Sequence, residues 1–281
     1  KSRFPEKIKH VREDDYKGCK DANELLIKHG REDVRLAVEN AEFEPVRRVR
    51  ELSDVESVDI YSLKKLDSTI NDCNRLLYGG IPFGGVILIT GKPGEGKSTF
   101  ASQIVGKAIE DGHKIFAYSG ELPNYLFKAW LDFQIAGAQH IIETTNRFGD
   151  VSRKISNQNQ SLIDSWYRGK AFIYDSTLVE SDEKEDICNT IKQTVLQYGV
   201  DVVLIDNLMT AIDLDAEKGS DKYEKQSLFM KKLARMALQF DILILLVAHK
   251  RKNNFSTNET DEVSGAGDIS NLASLVIGYS K

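Results

Sequence analysis

One stretch constrains this chain more than any other: Val86 to Phe100, VILITGKPGEGKSTF, where an apolar run meets a glycine-rich turn and a helix start. Val86, Ile87, Leu88, Ile89 and Thr90 are mostly β-branched and predict a buried strand. Phe100, Ile104, Val105, Ala108 and Ile109 follow at helical spacing, and Gly112 ends the helix. Between them, Gly91 to Ser98 fits G-x-x-x-x-G-K-[ST]. Glycines at 91 and 96 let the backbone turn tightly enough for several N–H groups to face phosphate oxygens, where a Cβ would block them. The helix beginning near Lys97 adds its positive dipole end. Lys97 can reach the β- and γ-phosphates as a point charge, and the Ser98 hydroxyl can complete the shell of a bridging Mg2+. The expected nucleotide contacts are therefore Gly91, Lys92, Pro93, Gly94, Glu95, Gly96, Lys97, Ser98 and Thr99, with ATP and Mg2+ as cofactors.

The remainder of the chain supplies strands for that loop to sit among. KIFAYS (114–119), Ala171–Tyr174, DVVLI (201–205), DILILLVA (241–248) and Ala273–Tyr279 read as strands. Helices are expected over Asn124–Ile135, Asp186–Tyr198 and Tyr223–Phe240. Continuous apolar strands separated by helices predict an α/β fold, a mostly parallel sheet with helices on both faces. Leu63, Leu66, Ile70, Leu76 and Leu77 recur at helical spacing, so Ser62–Tyr78 is expected to be a helix broken at Gly79 and Gly80. Asn146–Gln160 is polar and reads as loop or loose helix. No internal repeat is present.

Residues 1–60 are charged and poorly periodic, a small helical and linker segment ahead of the sheet. Within them Asp21 is placed to cap a helix running to His29, with Glu24 completing a capping box and Gly30 as its stop. A second helix is expected over Arg31–Asn40. EPVRRVRELSDVE (44–56) has the composition of a linker, or of a helix lying on a neighbouring subunit.

In open parallel sheets, ligands bind at the carboxyl ends of the strands. Glu121, Asp206 and His249 stand at such ends. Asp206, after four apolar residues, is the expected Walker B carboxylate, binding Mg2+ directly or through water. Glu121 is the candidate for orienting or deprotonating the water that attacks the γ-phosphate; the alternative is a helix-entry residue before Leu122 and Pro123. His249 can donate to the γ-phosphate, or simply fill a strand end as a neutral imidazole. Beyond it, Lys250, Arg251, Lys252, Asn253 and Asn254 open a polar segment running to Asp268. Such residues grip a phosphodiester backbone without reading bases, and the segment reads equally as a polar excursion.

Composition limits the partners. A formal net charge of -5 leaves no global basic footprint, so any contact with DNA has to be local. Cys19, Cys73 and Cys188 are few and scattered, which argues for a reducing, cytoplasmic setting and against a structural metal. The longest apolar run, Ile242–Ala248, is too short to span a bilayer, so no membrane partner is expected.

In order, GKPGEGKST, SGELP, VVLIDN, LLVAHKRK and SGAGDISNLAS resemble the RecA-like motor domain of DnaB-type replicative helicases, nearest to the bifunctional primase-helicases and their Twinkle relatives. The resemblance covers about residues 60–281. KDANELLIKHG (20–30) is similar to the end of a Toprim primase domain, so residues 1–60 are expected to be the end of a primase-like region plus linker, and 61–281 the helicase ATPase domain. The resemblance implies a hexameric ring with ATP sites between subunits, single-stranded DNA in the channel and 5′ to 3′ translocation. The organism it implies is a bacterium or phage-infected cell, with an organelle left open. It assigns Lys97 and Ser98 to triphosphate and Mg2+, Glu121 to catalysis, Asp206 to the Walker B role and His249 to sensing the γ-phosphate. Lys250 to Asn254 then begin a DNA-binding channel loop. The family's arginine finger has no equivalent before Lys281, and the chain by itself is expected to bind nucleotide but hydrolyse it slowly. Two other readings remain: a RecA- or KaiC-like ATPase for strand exchange or signalling, and a nucleotide-regulated assembly module with little turnover.

Overall fold

A computed structural model describes residues 9–43, 49–178, 186–214, 222–249 and 268–279. Two compact units are present, Lys1–Val58 and Asp59–Lys281. In the first, β1 (Lys9–His10) pairs antiparallel with β2 (Glu42–Phe43), and α1 (Ala22–His29) and α2 (Arg31–Glu39) lie between them in sequence. Asp21 caps α1 by accepting the Glu24 N–H at 2.8 Å. Glu24 reaches back to the N–H of Lys20, one residue before the cap. Leu25, Ala37 and Cys19 make the small core of this unit. Residues 44–48 of the expected linker lie outside the described residues; Leu52–Asp54 form one 3-10 turn.

The second unit runs β3 (Lys65–Leu66), α3 (Asn71–Leu76), β4 (Ile81–Pro82), β5 (Gly85–Gly91), α4 (Lys97–Glu110), β6 (Ile115–Ser119) and α5 (Asn124–Ala136). It continues with β7 (Ile141–Thr145), β8 (Val151–Ile155), α6 (Asn157–Tyr167), β9 (Ala171–Ile173), α7 (Ile187–Tyr198), β10 (Val202–Asp206) and α8 (Leu208–Asp213). Last come α9 (Lys222–Phe240), β11 (Leu243–His249), α10 (Asp268–Leu272) and β12 (Leu275–Gly278). The central sheet has six strands in the order β12-β5-β11-β10-β6-β9, every pair parallel. Alternate residues of the same strands feed opposite faces. Val86, Leu88, Val203, Ile205, Ile244 and Leu246 pack with Ile187 and Ile191 of α7, Leu208 of α8 and Phe229 and Leu233 of α9. Ile87, Ile89, Val202, Leu204, Leu243 and Leu245 pack with Phe100, Ile104 and Val105 of α4 and with Phe127 and Leu131 of α5. The two-faced α/β architecture is the expected one.

Three segments differ from expectation. Residues 62–78 form β3 and the short α3 instead of one helix. Asp67 Oδ1 accepts the N–H of Thr69 at 2.7 Å and the Asn74 amide at 2.6 Å, and Thr69 adopts a φ of 66°. This side-chain turn competes with helix formation until Asn71. Residues 146–160 form the turn and second strand of the β7–β8 hairpin and the start of α6. Asn146 Oδ1 accepts from Phe148 N at 2.8 Å and Asp150 N at 3.0 Å, closing the turn, and Ser156 caps α6 through Asn159 N at 3.2 Å. Both hairpin strands are largely exposed, so no apolar alternation marks them. The third is α8, whose six residues are too few to show a helical period and whose cap, Asn207, follows directly on a strand.

α8 lies close against the turn after β6. Gly120 donates its N–H to Asp206 O at 2.6 Å, and a Cβ on Gly120 would stand 2.5 Å from Cβ of Thr210. Thr210 is itself held by a hydrogen bond from Oγ1 to Asn207 O at 3.0 Å. Gly120→Ala is therefore expected to cost about 1–3 kcal/mol of overpacking strain. The readout is a lower urea midpoint at unchanged slope; an unchanged midpoint would show that Thr210 yields freely.

Candidate nucleotide site

Register alone gathers the polar residues. His249 pairs with Gly91 across β11 and β5, and Asp206 pairs with Val247 on one side and Ser119 on the other. The last residues of four adjacent strands therefore line one end of the sheet, and the glycine-rich loop bridges the end of β5 to the start of α4. Gly94 and Gly96 take φ values of 80° and 99°, the left-handed region that glycine tolerates. Gly91 is glycine for another reason: a Cβ there would meet the Tyr279 carbonyl and stand 2.9 Å from the Glu95 carboxylate. Lys92, Pro93 and Gly94 are exposed at the loop tip, and Ser98 and Thr99 are half-buried in the first turn of α4.

Lys97 is only 4% exposed, and its Nζ donates to Lys92 O at 2.8 Å. Burial lowers its pKa, and the charges of Glu95, Asp206 and Glu121 pull back in the other direction. Glu95 turns inward, accepting the Lys92 N–H at 2.5 Å. Asp206 is 7% exposed, and burial raises its pKa. Glu121 adds to that rise, and a hydrogen bond with Ser98, together with the charges of His249 and Lys97, opposes it. The Asp206–Asn207 peptide is cis.

Beside this pair sits a second group. Glu121, half exposed, receives His249 Nε2 on its Oε1 at 2.9 Å, and the Asn207 amide donates to the same oxygen. His249 thus points its Nε2 at Glu121, and its Nδ1 is shielded with no partner among the described residues. The four expected catalytic residues therefore fall into two contacting sets: Lys97 with Ser98 and Asp206, and Glu121 with His249. Asn207, which joins Glu121 and His249, is not among the residues the sequence singles out; its only signal there is its place after the strand-end aspartate. The expected DNA contacts Lys250, Arg251, Lys252, Asn253 and Asn254 lie outside the described residues.

The donors suit a hard cation. A serine hydroxyl hydrogen-bonded to a buried carboxylate is an oxygen pair of the kind Mg2+ uses beside phosphate oxygens and water. Among the described residues no cluster of three His, Cys, Asp or Glu side chains could hold a metal by itself. No helix among them is long and apolar enough to cross a membrane.

A family model described as "AAA domain" matches residues 50–254, which include the loop and every strand-end residue above. The chain belongs to the AAA domain family. Within that family it is a P-loop NTPase with a RecA-like core, and nucleotide binding with a metal ion goes with the family. Curated relatives of this AAA domain include the DNA repair protein RadA of Rickettsia typhi, 22% identical over 71% of this chain and 37% of RadA. The DNA repair and recombination protein RadB of Methanosphaera stadtmanae is 25% identical over 70% of this chain and 71% of RadB. The chain thus spans little more than a third of the Rickettsia RadA that it matches. Among solved structures, the ATPase domain of a helicase superposes with a TM-score of 0.58 at 16% identity, covering 78% of this chain and 77% of that one. The KaiC-like protein PH0186 of Pyrococcus horikoshii superposes at 0.52 and 18%, covering 77% and 80%. At these identities the structures speak to fold.

The raised Asp206 carboxyl carries a stability consequence. Its charged form is disfavoured in the folded chain, so its contribution to stability is present at low pH and lost as pH rises through the raised folded value. Asp206→Asn should therefore raise the melting temperature of nucleotide-free, metal-free protein near neutral pH, and the gain should shrink as the pH falls. Scanning calorimetry across that range checks this; a lower melting temperature near neutral pH would contradict it.

Proposed function

We propose that this chain is the motor domain of an ATP-dependent, DnaB-type replicative DNA helicase, working as a hexameric ring that moves 5′ to 3′ on single-stranded DNA. The observation that carries this reading is the contact of Glu121 with His249 beside the Ser98–Asp206 pair. It places a carboxylate near the phosphate loop yet outside the metal-binding pair. It also ties that carboxylate to the residue immediately before the basic run Lys250–Asn254. Residues 1–60 are proposed as the end of a Toprim primase-like region and its linker.

In this reading Lys97 and the N-terminus of α4 neutralise the triphosphate, and Ser98 and Asp206 hold Mg2+. Magnesium, when bound, draws charge from the β- and γ-phosphate oxygens as the terminal bond breaks. Glu121 orients a water in line with that phosphate and accepts its proton. His249, released from Glu121, donates to the γ-phosphate and links its presence to the DNA-gripping run that follows.

A second reading, a RadA- or RadB-like DNA-repair ATPase, is favoured by the match to RadB over 71% of that protein's length. The two predict different products from the same hydrolysis. With the full-length protein carrying this chain, single-stranded DNA should stimulate ATPase strongly, and a 5′-tailed fork should be unwound. Lys97→Ala should reduce both to background. Glu121→Gln should keep nucleotide binding and lose turnover. ATPase indifferent to DNA would sink both readings, and stimulation with joint processing but no fork unwinding would select the second.

A further inference from the structure

Asn207 is 3% exposed, and the two ends of its amide are committed to different elements. Its Oδ1 accepts the N–H groups of Met209 at 2.9 Å and Thr210 at 3.2 Å, capping α8. Its Nδ2 donates to Glu121 Oε1 and lies 3.3 Å from His249 Nε2. The amide cannot be turned over, because that would set its NH2 group against two backbone N–H donors. The helix cap therefore aims the donor at Glu121. Gly120, the preceding residue, is pressed close to Thr210 of the same helix, so the backbone under Glu121 is located by α8 as well.

We propose that Asn207 is a positioning residue for Glu121. Both neighbouring donors, Asn207 Nδ2 and His249 Nε2, converge on Oε1. With Oε1 occupied, Oε2 is the oxygen left to meet a water on the open side of the half-exposed side chain. Asn207 also allows His249 to leave: when the imidazole swings away from Glu121, the amide still holds the carboxylate. The inference rests on the reading of Glu121 as the base of the hydrolytic step.

Serine and aspartate at position 207 separate the two ends of the amide. Each retains an oxygen to cap α8, and neither supplies the amide donor to Glu121. In the full-length protein, Asn207→Ser and Asn207→Asp should lower kcat by about 10–100-fold, the usual scale for losing an outer partner of a functional group. Nucleotide affinity should hold. Asn207→Asp should also move the acid limb of the pH–rate profile upward, since a second carboxylate raises the pKa of the first. Independently of turnover, the Asn207 side-chain amide proton in nucleotide-free protein should resonate downfield and return upfield in Glu121→Gln. An amide at its random-coil position, or wild-type kcat in both Asn207 variants while Glu121→Gln is inactive, overturns the proposal. Full turnover by Glu121→Gln instead overturns the reading of Glu121 on which it rests.

Discussion

The parallel ladders from β5 through β11 and β10 to β6 hold this structure and its site in one arrangement. Side chains alternate along a strand, so a slip of one residue in any ladder would exchange the buried and opposing faces. Here each strand buries both faces, one against α4 and α5 and the other against α7, α8 and α9, and a slip would disrupt two cores at once. The same register that packing enforces brings His249 level with Gly91 and Asp206 level with Ser119. Neighbouring strands lie roughly 4.8 Å apart, so groups distant in sequence meet within hydrogen-bond reach at the sheet end.

That gathering concentrates charge where water is scarce. Burial disfavours the charged forms of both Lys97 and Asp206, and their opposite charges offset only part of the cost. A polyphosphate and a cation, the ligand pair bound by the family, bring the complementary charges. The folded chain is thus preorganised for a ligand at some expense to its own stability, a common balance at functional sites.

Much of this is readable from residues in order. Each buried strand of the sheet is a continuous apolar run, and the glycine-lysine-serine turn is specified by spacing. Segments stabilised by side-chain turns are less readable. Asp67 with Asn74 interrupts a helical periodicity, and Asn146 closes a hairpin whose exposed strands carry no apolar pattern. Asn207 is hidden for a different reason: its partners, Glu121 and His249, are 86 and 42 residues away in sequence, and only the register of β6, β10 and β11 brings them together.

The edge strand β12 gives the loop a mechanical connection. Tyr279 donates its N–H to Thr90 O at 2.7 Å, its carbonyl fills the space beside Gly91, and its ring stacks on Phe100 with centroids 5.8 Å apart and approaches Gly96. One residue thus touches the end of β5, the loop and the first turn of α4. Load applied to the backbone at Tyr279 is carried straight into the phosphate-facing turn, so the rim of the sheet can act as a tether through which force and nucleotide state inform each other.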